Sequence, residues 1–171
     1  MDDNTRWHSL HTGDTPATCR VAIIFDSKSI LAVRKKKKKR LTKYNIPGGH
    51  ISIDDIGNNP IMNAAIREIY EELNIMLSPH DLERMFTIKW NTVMKLEAHL
   101  LYSSDDTIQF KCNNTGNVHT IKRKNPSNEI ARVDIIESYC QNKVNNELCR
   151  VFPISKVSNY YKKLDCNINS K

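Results

Sequence analysis

The stretch that decides the fold is Arg67-Glu68-Ile69-Tyr70-Glu71-Glu72-Leu73-Asn74-Ile75, which ends an amphipathic segment beginning at Pro60. Apolar residues recur along this segment at four-residue intervals, at Ala65, Ile69 and Leu73. This period predicts a helix over residues 60–74 whose apolar stripe packs against a core. Asn59 stands where a capping side chain is needed, and proline is favoured at the first helical position.

The polar side of this helix carries three glutamates close together. Glu68 and Glu72 are one helical turn apart and Glu71 is three residues from Glu68, so the three side chains are neighbours. Two bare carboxylates about 6 Å apart repel by roughly 3 kcal/mol at an effective dielectric near 20. Mg²⁺ or Mn²⁺ would remove this cost, because both ions prefer oxygen ligands. The carboxylates should open outward or into a cleft, either as a solvated acidic surface or as a metal site.

Two glycines precede the helix and follow a predicted hairpin. Apolar runs at Arg20–Phe25 and Ile30–Val33, separated by a polar turn, predict two paired strands. The seven consecutive cations Arg34–Arg40 must lie in a loop or at a strand end, because such a block cannot be buried. Tyr44–Ile46 is a predicted short strand before Pro47-Gly48-Gly49. Adjacent glycines allow the backbone to turn sharply and to approach a metal or an anion closely.

The remaining segments predict strands around the helix. Further strands are expected at Arg84–Trp90, Lys95–Tyr102 and Val151–Pro153, and a closing helix at Ser155–Leu164. The polar residues 103–128 indicate a hairpin or an insertion outside the core, and Glu129–Gln141 fits either a strand or a helix. Strands before and after a central helix indicate a mixed α/β or α+β sandwich.

Length and composition limit the class of protein. The 171 residues suffice for one domain with a core, and a formal charge of +7 favours an anionic partner such as a nucleotide or RNA. No apolar run approaches the roughly 18–20 residues of a membrane span, and residues 1–18 resemble a polar arm without a secretory signal. Five scattered cysteines fit free thiols without a disulfide partner. We expect an intracellular, cytoplasmic protein, with nuclear import through the basic block as the alternative.

The glycines and the acidic helix together resemble the signature of the Nudix hydrolase family. That signature is Gly-x5-Glu-x7-Arg-Glu-U-x-Glu-Glu-x-Gly-U, where U is apolar. Gly49 opens it here and Arg67–Ile75 closes it, with Asn74 in place of the final glycine. The resemblance covers residues 19–164 and implies an α/β/α sandwich with a mixed sheet, preceded by the arm 1–18 and followed by a tail 165–171.

The sequence departs from the signature between Gly49 and the helix. Asn59 stands eight residues before Arg67, where the family has a glutamate, and the stretch from Gly49 to Asn59 is four residues longer than the signature. Asp54 or Asp55 in the lengthened loop is a candidate substitute. In the family this first glutamate is chiefly a structural support, so we expect weakened geometry rather than lost chemistry.

The resemblance implies metal-dependent hydrolysis of a pyrophosphate bond in a nucleoside diphosphate linked to another moiety. It assigns Mg²⁺ or Mn²⁺ to four ligands, which are the Gly48 carbonyl, Glu68, Glu71 and Glu72. Glu71 and Glu72 are also candidate catalytic residues, and Arg67 orients the carboxylates. A glutamate from a later loop is implied as a ligand or base. Glu147 is the first candidate and Glu129 the second, with an ordinary surface position as the alternative for each.

Basic and aromatic residues are the candidate substrate contacts. The phosphate candidates are Arg34, Lys35, Lys39 and Arg40, together with His50, for which a turn position is the preferred alternative. The candidates for base stacking are Trp7, Tyr44, Trp90 and Phe152, of which Trp90 and Phe152 are expected in the core. A second basic cluster, Lys122–Lys124, fits an extended nucleic-acid surface or solubility alone.

These charges favour a long polyanion, so capped mRNA is the first expected substrate. The chain is also loosely similar to the decapping Nudix enzymes of large DNA viruses, in its charge and in the asparagine near the end of the signature. A small nucleotide, such as ADP-ribose or a dinucleoside polyphosphate, is the second expectation. The third is a catalytically weak Nudix-like module that binds RNA, because the first signature glutamate is missing. The sequence predicts no oligomeric state.

Overall fold

A mixed sheet with one long helix packed on it forms the described part of the chain. The computed structural model describes residues 17–36, 44–88 and 90–137. The strands within these residues are β1 (Thr18–Phe25), β2 (Ser29–Lys35), β3 (Gly48–His50), β4 (Glu83–Ile88), β5 (Asn91–Ser103), β6 (Thr107–Cys112), β7 (Val118–Lys122) and β8 (Ile130–Glu137). The helix α1 spans Pro60–Leu73, and short 3₁₀ turns lie at Ile53–Asp55 and Pro79–Asp81.

Strand β1 lies at the centre of the sheet. The strand order is β7-β6-β5-β1-β2-β8, while β3 pairs with the first residues of β1 and β4 with the first half of β5. β1 and β5 are parallel, from Thr18 opposite Asn91 to Phe25 opposite Ala98. The other pairs among the described strands are antiparallel. The predicted fold class, a mixed sheet in an α+β arrangement, is therefore confirmed.

The helix α1 begins and ends where its capping residues predict. The side chain of Asn59 accepts a hydrogen bond from the backbone N–H of Met62 at 3.2 Å, and Pro60 is the first helical residue. Asn74 ends the helix in the left-handed conformation with φ of 58°, which asparagine tolerates better than most residues. The stripe Ala65, Ile69 and Leu73 is buried in the main core together with Val21 and Ile23 of β1. The helix predicted from the periodicity is confirmed.

The first hairpin and the strands after the helix also agree with the prediction. β1 and β2 pair across a turn at residues 26–28, and β2 ends at Lys35, so the first cations of the basic block lie at a strand end. β4 and β5 correspond to the strands predicted at Arg84–Trp90 and Lys95–Tyr102, although β5 begins earlier, at Asn91. β8 settles the ambiguous segment as a strand over its described residues.

Two expectations about segments outside the helix are wrong. Residues 44–46 do not form a strand, because only Asn45 bridges to Val33, and β3 begins later, at Gly48. The β6–β7 hairpin does not lie outside the core. Its buried residues are Ile108, Phe110, Cys112 and Ile121. Although residues 103–128 are polar on average, side chains alternate along each strand, so one side of the hairpin completes the core.

Several predicted segments lie outside the described residues. These are residues 1–16 of the arm, the strand Val151–Pro153, the closing helix Ser155–Leu164 that would form the sandwich's third layer, and the tail 165–171. Ala17 and Thr18, which the sequence assigned to the arm, belong to the folded domain, since Ala17 is buried and Thr18 begins β1. Cys19 and Cys112 are buried free thiols. In the described part of the chain, no helix has both the length and the apolar character that a membrane span needs.

Candidate active site

The two glycines bring the backbone of β3 against the acidic side of α1. β3 pairs with the start of β1, with Gly48 opposite Arg20 and Gly49 opposite Cys19. Gly48 has a φ of 143°, which residues with side chains rarely adopt, and a Cβ there would collide with the carbonyl of Cys19. A Cβ on Gly49 would lie 2.6 Å from Oε1 of Glu68. Both glycines are therefore needed for the backbone to lie this close to β1 and to the helix.

Glu72 is a fully buried carboxylate without a hydrogen-bond partner. Its exposed fraction is 0%, and neither carboxylate oxygen makes a hydrogen bond. Burial raises the pKa of Glu72 to about 7. The charge of Lys35 and the nearby backbone of Gly48 oppose that rise. The Gly48 backbone does not form a hydrogen bond of normal geometry with the carboxylate. A buried carboxylate without a partner costs several kcal/mol unless a proton or a cation compensates its charge. This environment fits a ligand of a divalent cation.

Glu68 and Glu71 complete the acidic group around Glu72. Glu68 is 8% exposed, and burial raises its pKa while the charge of Arg67 opposes that rise. The side chain of Glu71 is 44% exposed and faces solvent. The sequence placed all three carboxylates on an open surface or in a cleft, but Glu68 and Glu72 are buried beside β3. The carboxylates of the group offer the oxygen ligands that Mg²⁺ or Mn²⁺ prefers.

Arg67 holds the carboxylates in place. Its guanidinium donates to both oxygens of Asp55 at 2.9 Å, and to the carbonyl of His50 at 3.0 Å. It also donates to Glu68 at 3.0 Å and to Glu71 at 3.1 Å. The hydrogen bonds that Arg67 donates to Asp55 raise the pKa of the guanidinium, so the side chain remains charged. Arg67 therefore joins the loop before α1 to two of the three helix glutamates.

Asp55 lies at the signature's spacing from Gly49 for the first carboxylate, which the sequence lacks when counted back from Arg67. It is 3% exposed, pairs with Arg67 through both oxygens, and accepts a hydrogen bond from the backbone N–H of Ser52 at 2.7 Å. Asp54 beside it is exposed. Five residues separate Gly49 from Asp55, which is the signature's own spacing, so the four extra residues lie after Asp55 rather than before it. The signature's spacing counted back from Arg67 gives Asn59, whereas the spacing counted forward from Gly49 gives Asp55.

Lys35 and Glu129 approach the acidic group from the end of the sheet. The charge of Lys35 lowers the pKa of Glu72, whereas that of Glu129 raises the pKa values of both Glu68 and Glu72. The carbonyl of Glu129 accepts a hydrogen bond from the backbone N–H of Lys36 at 2.9 Å, which fixes the start of β8 beside the end of β2. Lys35 and Glu129 are therefore brought to the site, while Glu147 lies outside the described residues.

Arg34 does not share the side of Lys35. Tyr44 packs against the smaller core cluster with Ala22, Ile24 and Ile30, whereas α1 packs in the main core on the other side of the sheet. The guanidinium of Arg34 lies 4.0 Å above the ring of Tyr44, whose hydroxyl donates to Asp134, and its Nε is buried without a hydrogen-bond partner. Arg34 and Lys35 therefore lie in different surroundings, and the prediction that each contacts substrate phosphates stays a prediction. The Arg34–Tyr44 stack remains a candidate contact on the other side of the sheet.

The other predicted substrate contacts differ in their placement. His50 contributes its carbonyl to Arg67, and its side chain is exposed. Trp90 packs against the main core, as predicted. Arg123 of the second basic cluster is used within the fold, because it donates to the carbonyl of Ser104 at 2.8 Å and pairs with Asp134 at 3.1 Å. Outside the described residues lie Trp7, Lys39, Arg40, Glu147 and Phe152.

Arg20 is a charged neighbour of the site that the sequence did not indicate. Burial lowers its pKa, while the charges of Glu72 and Glu68 oppose that change. Its guanidinium donates to the carbonyl of Ile46 at 3.0 Å, two residues before Gly48. Its closeness to the helix glutamates arises from the pairing of β1 with β3, which no local pattern around residue 20 reveals.

Replacing Gly49 with alanine is expected to weaken divalent-cation binding about tenfold and to leave the protein folded. Displacing a group that orients a metal ligand typically has an effect of this size. The new methyl group would contact the end of the Glu68 side chain, which can move at little cost to the fold but leaves its position. Titration calorimetry with Mn²⁺ measures the change. Gly57→Ala is the matched control, because its Cβ would meet its first neighbour, Asn63, only at 3.7 Å. Equal affinity in both variants would contradict this role of Gly49.

Comparisons with known proteins relate this fold to others. The family model described as the NUDIX domain matches residues 15–134. Among solved structures, DR0079 from Deinococcus radiodurans is similar with a TM-score of 0.53 at 15% identity, over 86% of this chain and 83% of that one. A NUDIX hydrolase from Nitrosomonas europaea has a TM-score of 0.48 at 16% identity, over 87% and 90% of the two chains. A MutT NUDIX hydrolase from Burkholderia pseudomallei has a TM-score of 0.40 at 18% identity, over 71% and 82%. No curated protein sequence matches the chain.

Proposed function

Because the chain belongs to the Nudix hydrolase family, we propose that it hydrolyses a pyrophosphate bond in capped mRNA with the help of Mg²⁺ or Mn²⁺. One observation supports the hydrolytic part above the others. Glu72 is buried, lacks a hydrogen-bond partner and lies beside Glu68 and Gly48. A fold that served only as a scaffold would gain nothing from such a carboxylate, because its desolvation is uncompensated.

The metal ligands that we propose are Glu68, Glu71, Glu72 and the carbonyl of Gly48. A divalent cation bound there supplies charge neutralisation for the phosphates and lowers the pKa of a coordinated water. Arg67 keeps Glu68 and Glu71 in place through hydrogen bonds of 3.0 and 3.1 Å. Glu71 is the most exposed of the three helix glutamates, so it is positioned to exchange a proton with solvent as well as to bind the cation.

A glutamate outside the helix completes the proposed site. The attacking water must lose a proton, and a carboxylate facing the site is a suitable acceptor. Glu129 is exposed, and its charge affects the pKa values of both Glu68 and Glu72, which supports a position beside them. Glu147 remains the other candidate for this base, as expected from the sequence.

The charge next to the site supports a polyanionic substrate. Lys35 is exposed at the end of β2 and its charge reaches Glu72, and cations continue along the chain to Arg40. Lysines bind phosphates as mobile point charges without base specificity, which suits an RNA chain that extends beyond its cap. On the other side of the sheet, the Arg34–Tyr44 stack offers a planar surface of the kind that nucleobases use.

The alternative of a catalytically weak RNA-binding module loses its main argument. That interpretation depended on the missing first carboxylate of the signature. Asp55 makes a bidentate contact with Arg67 and so supplies a carboxylate to the loop before α1. The remaining alternative is a small nucleotide substrate, ADP-ribose or a dinucleoside polyphosphate, and the experiment below separates it from capped RNA.

Purified protein should release 7-methyl-GDP from cap-labelled RNA in the presence of Mg²⁺ or Mn²⁺. The same protein is assayed on ADP-ribose and dinucleoside polyphosphates. Neutralising Lys39 and Arg40 together (Lys39→Ala/Arg40→Ala) should raise KM for capped RNA and reduce its salt dependence, with a smaller effect on ADP-ribose. Lys28→Ala is the matched control, since Lys28 lies in the turn at the opposite end of β2. Turnover of small nucleotides without turnover of capped RNA would overturn the substrate assignment, and no turnover of any of them would overturn the hydrolase.

A further inference from the structure

Three side chains of metal-binding types form a second cluster, which includes none of the helix glutamates. They are Asp81, in the 3₁₀ turn before β4, and Cys112 and His119, on the two strands of the β6–β7 hairpin. Their ligand atoms all lie within 4.8 Å of one another. Nε2 of His119 is 3.5 Å from Oδ2 of Asp81. In tetrahedral zinc sites, bond lengths of about 2.0–2.3 Å place neighbouring ligand atoms about 3.3–3.6 Å apart, so a small contraction would suffice.

The cluster is buried, and one of its polar atoms lacks a partner. Asp81 and Cys112 are each 1% exposed, and the side chain of His119 is 12% exposed. Nε2 of His119 is buried without a hydrogen bond, although it faces the carboxylate of Asp81. A buried imidazole nitrogen without a hydrogen bond costs free energy that a metal–nitrogen bond would recover.

Asp81 is held in one orientation by neighbouring donors. Its carboxylate accepts hydrogen bonds from the backbone N–H of Ser78 at 2.9 Å, from the hydroxyl of Thr115 and from the side chain of Asn117 at 3.3 Å. Metal-binding carboxylates are commonly fixed by such surrounding hydrogen bonds. In the metal-free cluster the Cys112 thiol also donates to Asp81, while Nε2 of His119 lies 3.5 Å from that carboxylate without forming a hydrogen bond.

We propose that Asp81, Cys112 and His119 bind one Zn²⁺ ion, with a water molecule as the fourth ligand, and that this ion joins the 3₁₀ turn to the β6–β7 hairpin. The sulfur–nitrogen–oxygen ligand set suits Zn²⁺ better than Mg²⁺ or Mn²⁺, which prefer oxygen alone. None of its residues belongs to α1 or β3, which carry the proposed pyrophosphatase ligands. We therefore assign the ion a structural role rather than a step of hydrolysis.

Zinc binding must remove the proton of the Cys112 thiol, because the thiolate is the ligand. As the Zn–S bond forms, this proton passes to solvent. Binding should therefore release about one proton and strengthen as the pH rises.

Cobalt titration of the full chain tests the proposal directly. We expect thiolate-to-Co²⁺ charge-transfer absorption at one equivalent of Co²⁺, its loss on addition of Zn²⁺, and release of about one proton measured in weak buffer. Cys112→Ser should abolish the absorption, and His119→Gln should weaken Co²⁺ affinity about tenfold or more. Cys19→Ser, which replaces the other buried thiol in the described residues and lies outside the cluster, should retain it.

Two results would overturn the zinc site. One is folded wild-type protein that shows neither charge-transfer absorption nor proton release when Co²⁺ is added. The other is absorption that persists unchanged in Cys112→Ser, since other cysteines would then be the ligands. Circular dichroism confirms that each variant is folded. Hydrolase activity with Mg²⁺ is measured in parallel, so that failure of the zinc site is distinguished from failure of the pyrophosphatase centre.

Discussion

Glu72→Gln is expected to lower the metal-dependent hydrolase rate by about 100-fold or more. A bound metal ion stabilises the charge of the transition state by several kcal/mol, and each 1.36 kcal/mol corresponds to a tenfold change in rate. The substitution keeps the size and shape of the side chain but removes the charge that a divalent cation needs. The rate is measured on the best substrate of the panel at saturating Mg²⁺ or Mn²⁺.

The same substitution should stabilise the metal-free protein, which separates lost chemistry from lost folding. The pKa of Glu72 is about 7 in the folded protein against an ordinary value of 4.5, so the folded state binds this proton more tightly than the unfolded chain. Stability therefore falls as the pH rises from about 4.5 to 7 and stays lower above pH 7, by about 3 kcal/mol. Glutamine removes this penalty but leaves a buried amide, so a net gain of about 1–2 kcal/mol above pH 7 is expected.

Urea unfolding with chelator, at pH values from 4 to 9, measures this gain, and Glu137→Gln on the exposed end of β8 is the matched control. In that control both the rate and the pH dependence should match those of the wild type. A Glu72→Gln protein that is folded and retains the wild-type rate would contradict the role of Glu72. A variant that is less stable at every pH would contradict the account of its burial.

Asp55→Asn is expected to destabilise the protein by about 2–3 kcal/mol and to raise the Mg²⁺ requirement about tenfold. Removing one partner of a largely buried ion pair leaves the other charge uncompensated, and Arg67 is only 27% exposed. Asparagine also loses one of the two acceptors that hold the guanidinium, so Arg67 would orient Glu68 and Glu71 less well.

The neighbouring residue provides a sharp control for this prediction. Asp54→Asn makes the same chemical change one position earlier, on an exposed side chain, and should alter stability by less than about 0.5 kcal/mol. Urea unfolding and the Mg²⁺ dependence of the rate are measured for both variants. Equal effects of the two substitutions, or a larger effect of Asp54→Asn, would show that Asp55 does not stand in for the first signature carboxylate.

The helix and its ends could be predicted from the sequence because the determinants are local. The apolar period, the capping Asn59, Pro60 and the terminal Asn74 all act within a few residues of the element that they define. The glycine requirement was also foreseen, but its cause was not. Gly48 is needed because of the carbonyl of Cys19 on a neighbouring strand, which only the sheet pairing brings near.

The burial of the carboxylates could not be predicted, because it depends on distant segments. On an isolated helix Glu68, Glu71 and Glu72 are equivalent, yet β3 covers two of them and leaves Glu71 exposed. The position of the extra loop residues was equally ambiguous, since it depends on which aspartate reaches Arg67. The β6–β7 hairpin was wrongly predicted to lie outside the core, because that prediction used the mean polarity of residues 103–128. Its buried residues alternate with polar ones, so the mean does not reveal them.

The most direct test of the central claim is the position of bound manganese in crystals of the full chain. We expect anomalous scattering from Mn²⁺ at a coordination distance of about 2 Å from the carboxylates of Glu68 and Glu72, next to the carbonyl of Gly48. Manganese bound only elsewhere, with the Glu72 carboxylate still buried and unliganded, would contradict the assignment of this acidic group as the metal site.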